Sequence, residues 1–295
     1  MLVAGGGPTT PDRRVLRAMT LPVIGQFDPA FTQVMDEVMQ LARQTFLTRN
    51  RACFAVSAPR HAGLAAVLNS LPDKTPVQVA SGTGVADLRA LAAHCHGRGE
   101  LLVVDATEAL GAREIRVDDW NVDVCIAGTD HALGGPAGLC LITYSDAVEA
   151  RMRSRSVPPS SSYLDLLQLQ AYWSPERLNH HTAPTSLIYG LREALRLLLE
   201  ETLETRWARH QRVFNVLASG LDALNVKYRA EPPTFVVDLG IDASDARRRL
   251  REDFGVEVAR PIGQSVRLGL VGANACVPQA RRLLGALQSV VAGAR

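Results

Sequence analysis

From residue 53 to residue 145 the chain alternates two rhythms. Short runs in which most side chains are apolar, CFAVS (53–57), TPVQVAS (75–81), LLVVD (101–105), VDVCIAG (122–128) and GLCLITYS (138–145), read as buried strands. Between them lie stretches with helical spacing, such as 61–71 and, after a glycine turn, the segment through Leu91. Upstream, Phe31, Val34, Val38, Leu41, Ala42 and Thr45 mark one face of a helix over 30–47. Strands that are apolar on both faces and alternate with helices predict an α/β domain, its mostly parallel sheet of about five strands covered by helices.

The polar residues that end such strands point into the crevice where α/β proteins bind ligands. Here they are Ser57, Ser81, Asp105, Gly128 to His131 and Ser145. Asp105 is the sharpest of them. A carboxylate there suits a metal ligand, a general base or a partner for a protonated ring nitrogen, and equally a plain cap for the following turn. Past the Ser- and Pro-rich stretch 153–163 the organisation changes. A long helix is predicted from Thr185 to about Leu224. FVVDL (235–239), a helix from Ser244, a strand near Val256 and Val258, SVRLGLV (265–271) and a helix from Pro278 then make a small α/β domain. The division expected is an N-terminal arm (1–25) with a short helix at 15–19, a large domain (26–210) and a small one (211–295).

Composition narrows the partners. A net charge of +2 on 295 residues gives no reason to expect nucleic acid or a membrane, and no apolar run reaches 18 residues. The five cysteines are scattered, several inside apolar runs, as buried free thiols of a cytoplasmic protein would be. No metal-ligand spacing stands out. One count matters for chemistry: Lys74 and Lys227 are the two lysines, so thirty of the 32 basic residues are arginine.

The order of motifs resembles the class V aminotransferases of the fold-type-I pyridoxal-phosphate superfamily, of the alanine–glyoxylate and serine–pyruvate type. GGGPTTPDRRVLRAM, SAPRHAGLAA, LLVVDATEALGA, VDVCIAGTDHALGGPAGLCLIT, NHHTAPTSLIYGLREAL and VRLGLVGANA carry the resemblance over nearly the whole chain. It implies a large cofactor domain, a small C-terminal domain and an active site at a dimer interface. It also implies roles. Asp105 matches the aspartate that pairs with the pyridine nitrogen, Arg267 the arginine that grips the substrate carboxylate, and Ser81 a residue near the ring. Thr182 matches a residue that reaches the cofactor phosphate of the neighbouring subunit.

Four departures from the family pattern shape the expectation. His131 stands where the family has its Schiff-base lysine, and an imidazole cannot form that imine. Asp130 replaces a neutral neighbour. The phosphate cup reads Ser57-Ala58-Pro59-Arg60-His61, where Pro59 lacks the N–H such a cup uses, although Arg60 supplies a charge. Two strands with their helices are missing between about Leu71 and Val77, and with them the aromatic residue that stacks on the ring. Together these departures lead to the expectation of no cofactor. Cofactor-independent acid–base chemistry on a small carboxylate-bearing substrate would then use His131 with Asp130 and Asp105, and Arg267, Ser81, Thr182, His181 and His61 around the substrate. The alternatives are a non-catalytic subunit paired with a lysine-bearing paralogue, in place of a homodimer, and a true aminotransferase working without the lysine.

Overall fold

The computed structural model describes residues 1–82 and 87–293. In chain order the elements are β1 (Leu2–Val3), α1 (Arg13–Ala18), α2 (Pro29–Phe46), β2 (Ala52–Val56), α3 (Arg60–Ser70), β3 (Val77–Ser81), α4 (Leu88–Gly97) and β4 (Leu101–Asp105). There follow β5 (Val124–Gly128), β6 (Cys140–Tyr144), α5 (Asp146–Arg153), α6 (Leu166–Trp173), α7 (Thr185–Glu201) and α8 (Leu203–Ala223). The C-terminal part adds β7 (Lys227–Glu231), β8 (Thr234–Asp238), α9 (Ala243–Phe254), β9 (Val256–Glu257), β10 (Ser265–Gly269) and α10 (Val277–Ala292).

The large sheet has the order β2-β6-β5-β4-β3. β3, β4 and β5 are parallel, β6 runs against both β5 and β2, and so β2 points the same way as the parallel three. β2 and β6 are buried along their whole length, which is why their sequences show no alternation. α2 covers the sheet with Phe31, Val34, Met35, Val38, Ala42, Thr45 and Phe46. Its start is set by Asp28, whose side chain accepts from the Ala30 N–H, and by Pro29 in the first turn. The reversed β6 corrects one expectation: Ser145 follows it to the opposite end of the strands, where its side chain caps α5. Ser57, Ser81, Asp105 and Gly128 remain at the other end of the strands, with Ser57 and Ser81 on opposite flanks of the sheet.

A second sheet, β10-β8-β7, is antiparallel and packs with α8, α9 and α10 around its own core, which begins on α8 at Val213. Leu2 and Ala4 are buried in that core, and β1 pairs with β9, so the N-terminal segment is stitched to the C-terminal part. The single long helix expected from Thr185 is two. Thr202 adopts φ +69° and turns its hydroxyl onto the Thr205 N–H, closing α7 and capping α8. A short polar side chain that bonds the backbone locally competes with helix continuation. β7 escaped the sequence reading because it is a largely exposed edge strand with a mixed pattern. The glycine turn expected after Ser81 falls mostly on residues 83–86, outside the described residues.

Candidate active site

The strand ends and the small sheet enclose a cavity of about 520 Å³ lined by Arg60, Ser81, Asp105, Thr107, Glu108, Arg229, Ala230, Glu231, Pro232 and Arg267. β4 delivers Asp105 at its last residue. Its Oδ1 accepts from the Thr107 N–H at 3.0 Å and the Thr107 hydroxyl at 2.6 Å, which fixes the carboxylate plane. Its Oδ2 accepts from Arg60 Nη1 at 2.7 Å. Arg60, the first residue of α3, therefore supplies the cation that the strand-end aspartate needs. Thr107 Oγ1 in turn accepts from the Gly128 N–H at 2.9 Å, coupling the ends of β4 and β5.

Arg267 on β10 is held from both sides. Nη1 donates to Glu108 at 2.7 Å and Nη2 to Glu231 at 2.6 Å. Its fork is preorganised for carboxylates and already carries two. His131 lies beyond the end of β5 with Nδ1 3.0 Å from Asp130 Oδ1. Burial pushes the Asp130 carboxyl up, but the hydrogen bond and charge of His131 outweigh it and hold the group below its ordinary value. Gly7 closes over the imidazole so tightly that a Cβ there would stand 2.1 Å from His131 Cδ2. That close approach is a reason for glycine at this point of the N-terminal segment.

His181 takes a different partner. Its Nε2 is 2.8 Å from the Ser57 hydroxyl, its Nδ1 is 2.9 Å from His180 Nδ1, and His180 Nε2 is 3.0 Å from the Ser162 carbonyl. The carbonyl can only accept, so with both rings neutral each proton is assigned in turn: His180 donates from Nε2, His181 from Nδ1, and Ser57 donates to His181. Burial, then the neighbouring His180, lowers the His181 pKa to about 4, keeping it neutral. Thr182 is exposed, and His61 is exposed on the first turn of α3, outside the cavity lining. The sequence reading missed the Ser57–His181–His180 chain and the Arg60–Asp105 pair. Arg60 was legible as a charge in the cup, but no spacing rule assigns it to a residue 45 positions away. Among the described residues, no group of three His, Cys, Asp or Glu is arranged to hold a metal, and no helix is long and apolar enough to cross a membrane.

A mostly parallel sheet with an aspartate at the end of a central strand, beside a small domain that carries an arginine into the same cavity, is the architecture of fold-type-I aminotransferases. The aminotransferase class-V family model matches residues 73–266, and the chain belongs to that family. It is 32% identical over 370 aligned positions to the (S)-ureidoglycine–glyoxylate transaminase of Bacillus subtilis, covering 97% of this chain and 89% of that protein. It is 28% identical to the alanine–glyoxylate aminotransferase of Drosophila melanogaster, over 97% of this chain and 91% of the other. The crystal structure of the Bacillus subtilis ureidoglycine–glyoxylate aminotransferase superposes with a TM-score of 0.92 at 31% identity, covering 99% of this chain and 92% of that one. An alignment longer than the 295 residues means that the relative has segments without counterpart here.

The family overturns the expectation that no cofactor is used. Class V aminotransferase relatives at up to 32% identity depend on pyridoxal phosphate, which points to pyridoxal phosphate as the cofactor. That expectation weighed His131, at the position the resemblance assigns to a lysine, above the non-covalent groups that Asp105 and Arg60 offer. The donor set suits the ring: Asp105 Oδ2 already accepts from a cationic N–H, which is what a protonated pyridine nitrogen presents. The two lysines are both exposed, Lys74 in the connection between α3 and β3 and Lys227 at the start of β7, and neither lines the cavity. These residues fit a cofactor held by ion pairs and hydrogen bonds.

Proposed function

We propose that this protein is an aminotransferase that exchanges an amino group between a small amino acid and a 2-oxo acid, using pyridoxal phosphate held without a lysine. The observation that carries this reading is Asp105, paired to a cationic N–H in a cavity it shares with Arg267. Glyoxylate, common to the names of the relatives, is the acceptor to try first. The cofactor, when bound, supplies an electron sink and carries the amino group. Asp105 would hold the ring N–H, and Ser81, its neighbour in register on β3, lines the same cavity. Arg267 takes the substrate carboxylate in exchange for one of its two glutamates. His131, steadied through Nδ1 by Asp130, carries the proton on Nε2. Thr182 serves the site of a second copy in a homodimer.

The test is glycine formation from alanine and glyoxylate with and without added pyridoxal phosphate. Turnover should require the cofactor and fall about 100-fold in Asp105→Ala, in line with loss of a charged contact to the reacting group. A protein whose absorbance is unchanged by the cofactor sinks the reading. The exposed Thr182 and the exposed lysines also favour a second reading, a subunit that completes the site of a lysine-bearing paralogue. Stable co-purification of such a heterodimer, and turnover only when both chains are present, would distinguish it.

A further inference from the structure

We infer that Arg60 is a specificity-determining residue, a built-in counter-cation that admits to the Asp105 site only ligands carrying both a cationic N–H and an anionic group. This rests on the cofactor reading above and goes beyond it by assigning the selection to a residue outside the family pattern.

The Arg60 guanidinium occupies the one Asp105 oxygen not already taken by Thr107. Its stem lies against the end of β5: a Cβ on Gly128 would stand 3.4 Å from Arg60 Cβ, 3.2 Å from Asp130 Oδ1 and 3.2 Å from Thr107 Cγ2. One arginine therefore serves two carboxylates, Asp105 by a direct bond and Asp130 through its charge. The two partners are unequal in exposure. The Arg60 side chain is 38% exposed and Asp105 only 20%, so the guanidinium can swing into water while the carboxylate stays where it is.

A half-exposed ion pair of this kind is weak, but a partly buried carboxylate left without a cation is costly. A neutral ring offers Asp105 nothing in exchange and is excluded. A ring with a cationic N–H replaces the guanidinium at Oδ2. The displaced Arg60 remains beside the cavity it lines, where an anionic group on the same ligand gives it a new partner. Without that group the ligand must leave Arg60 unpaired. The class selected is thus a cationic heteroaromatic ring with a phosphate or similar anion attached.

Pyridoxamine and its 5′-phosphate separate the two contributions, and as amines they form no imine with Lys74, Lys227 or the N-terminus. Binding of each to the full chain is read by ligand fluorescence, for the wild type, Arg60→Gln and Asp105→Asn, with thermal melting as the folding check. In Arg60→Gln the phosphorylated ligand should bind about 10-fold more weakly and the unphosphorylated one about 10-fold more tightly, a crossing that loss of fold cannot produce. Asp105→Asn should weaken both. If Arg60→Gln moves both ligands in the same direction, or neither, Arg60 does not select and the inference is overturned. If the wild type binds neither ligand, the cofactor reading falls and takes the inference with it.

Discussion

Two arginine networks in this molecule use the same chemistry to opposite ends. Arg206 and Arg209 on α8 are built into the structure. Arg206 is 7% exposed and donates to the carbonyls of Gly111 and Ala132, while Arg209 donates to those of Gly272 and Ala275. Both also bind Glu201, the last residue of α7. Next to them His210 donates from Nδ1 to the Arg206 carbonyl and accepts the Gly272 N–H at Nε2. Arg60 and Arg267, by contrast, are paired with carboxylates and face the cavity. Backbone carbonyls fixed by the fold cannot be exchanged for a ligand, whereas mobile side-chain carboxylates can, even though Arg206 and Arg209 also line a cavity of their own. Partner type, more than burial, separates a structural arginine from a binding one: Arg209 and Arg267 are 28% and 29% exposed.

The sharpest way to break this contrast is Arg206→Met. The carbonyls of Gly111 and Ala132 lose their donor, while Glu201 keeps Arg209, and the loss should be about 2–5 kcal/mol of stability, read as a fall in denaturation midpoint. A loss below about 1 kcal/mol would put Arg206 in the same class as the cavity arginines.

Acid tests the same buried cluster. Burial first, then the charge of Arg206, lowers the His210 pKa to about 3, against about 6.5 in an unfolded chain. Because the folded pKa is the lower one, the unfolded chain takes up the proton first. This contribution to stability is intact above pH 6.5 and is lost progressively as the pH falls toward 3. Between pH 6.5 and 5 the cost is about 2 kcal/mol, and His210→Gln should flatten that part of the stability profile. His181 adds in the same direction down to its own value near 4. An unchanged slope in the variant would remove His210 from the account.

The smallest effect on stability belongs to the cavity. Arg267→Gln should leave the melting temperature nearly unchanged while raising the KM for the amino acid about 10- to 100-fold, because a carboxylate contact is lost from binding. A large drop in melting temperature with an unaltered KM would make Arg267 a structural residue like Arg206.

Much of the fold was legible because its strands are short and its helices periodic. β4 was read to the residue, and β2, β5 and β6 within two. β7 and the break at Thr202 were not, since an exposed edge strand carries little pattern and a single left-handed residue leaves no periodic trace. Asp105, Ser81 and Arg267, named from the sequence, line one cavity, whereas His131 and Asp130 stand outside its lining. His181 was expected near the cavity and instead binds Ser57. Arg206, His210 and the partners of Arg60 were not found at all, because nothing in their spacing distinguishes them from the other arginines and histidines.

The sequence by itself determined that this is an α/β protein with a strand-end aspartate, two lysines and a histidine at position 131, since these depend on residue identity and local period. The tertiary structure decided what each charge does. Position along the chain does not say whether an arginine ends among carbonyls or carboxylates: the two glutamates of Arg267 lie 159 and 36 residues away, and the two carbonyls of Arg206 95 and 74. Closure of the small sheet over the strand ends made Arg267 a cavity residue. The packing of α8 against three loops made Arg206 a permanent part of the interior.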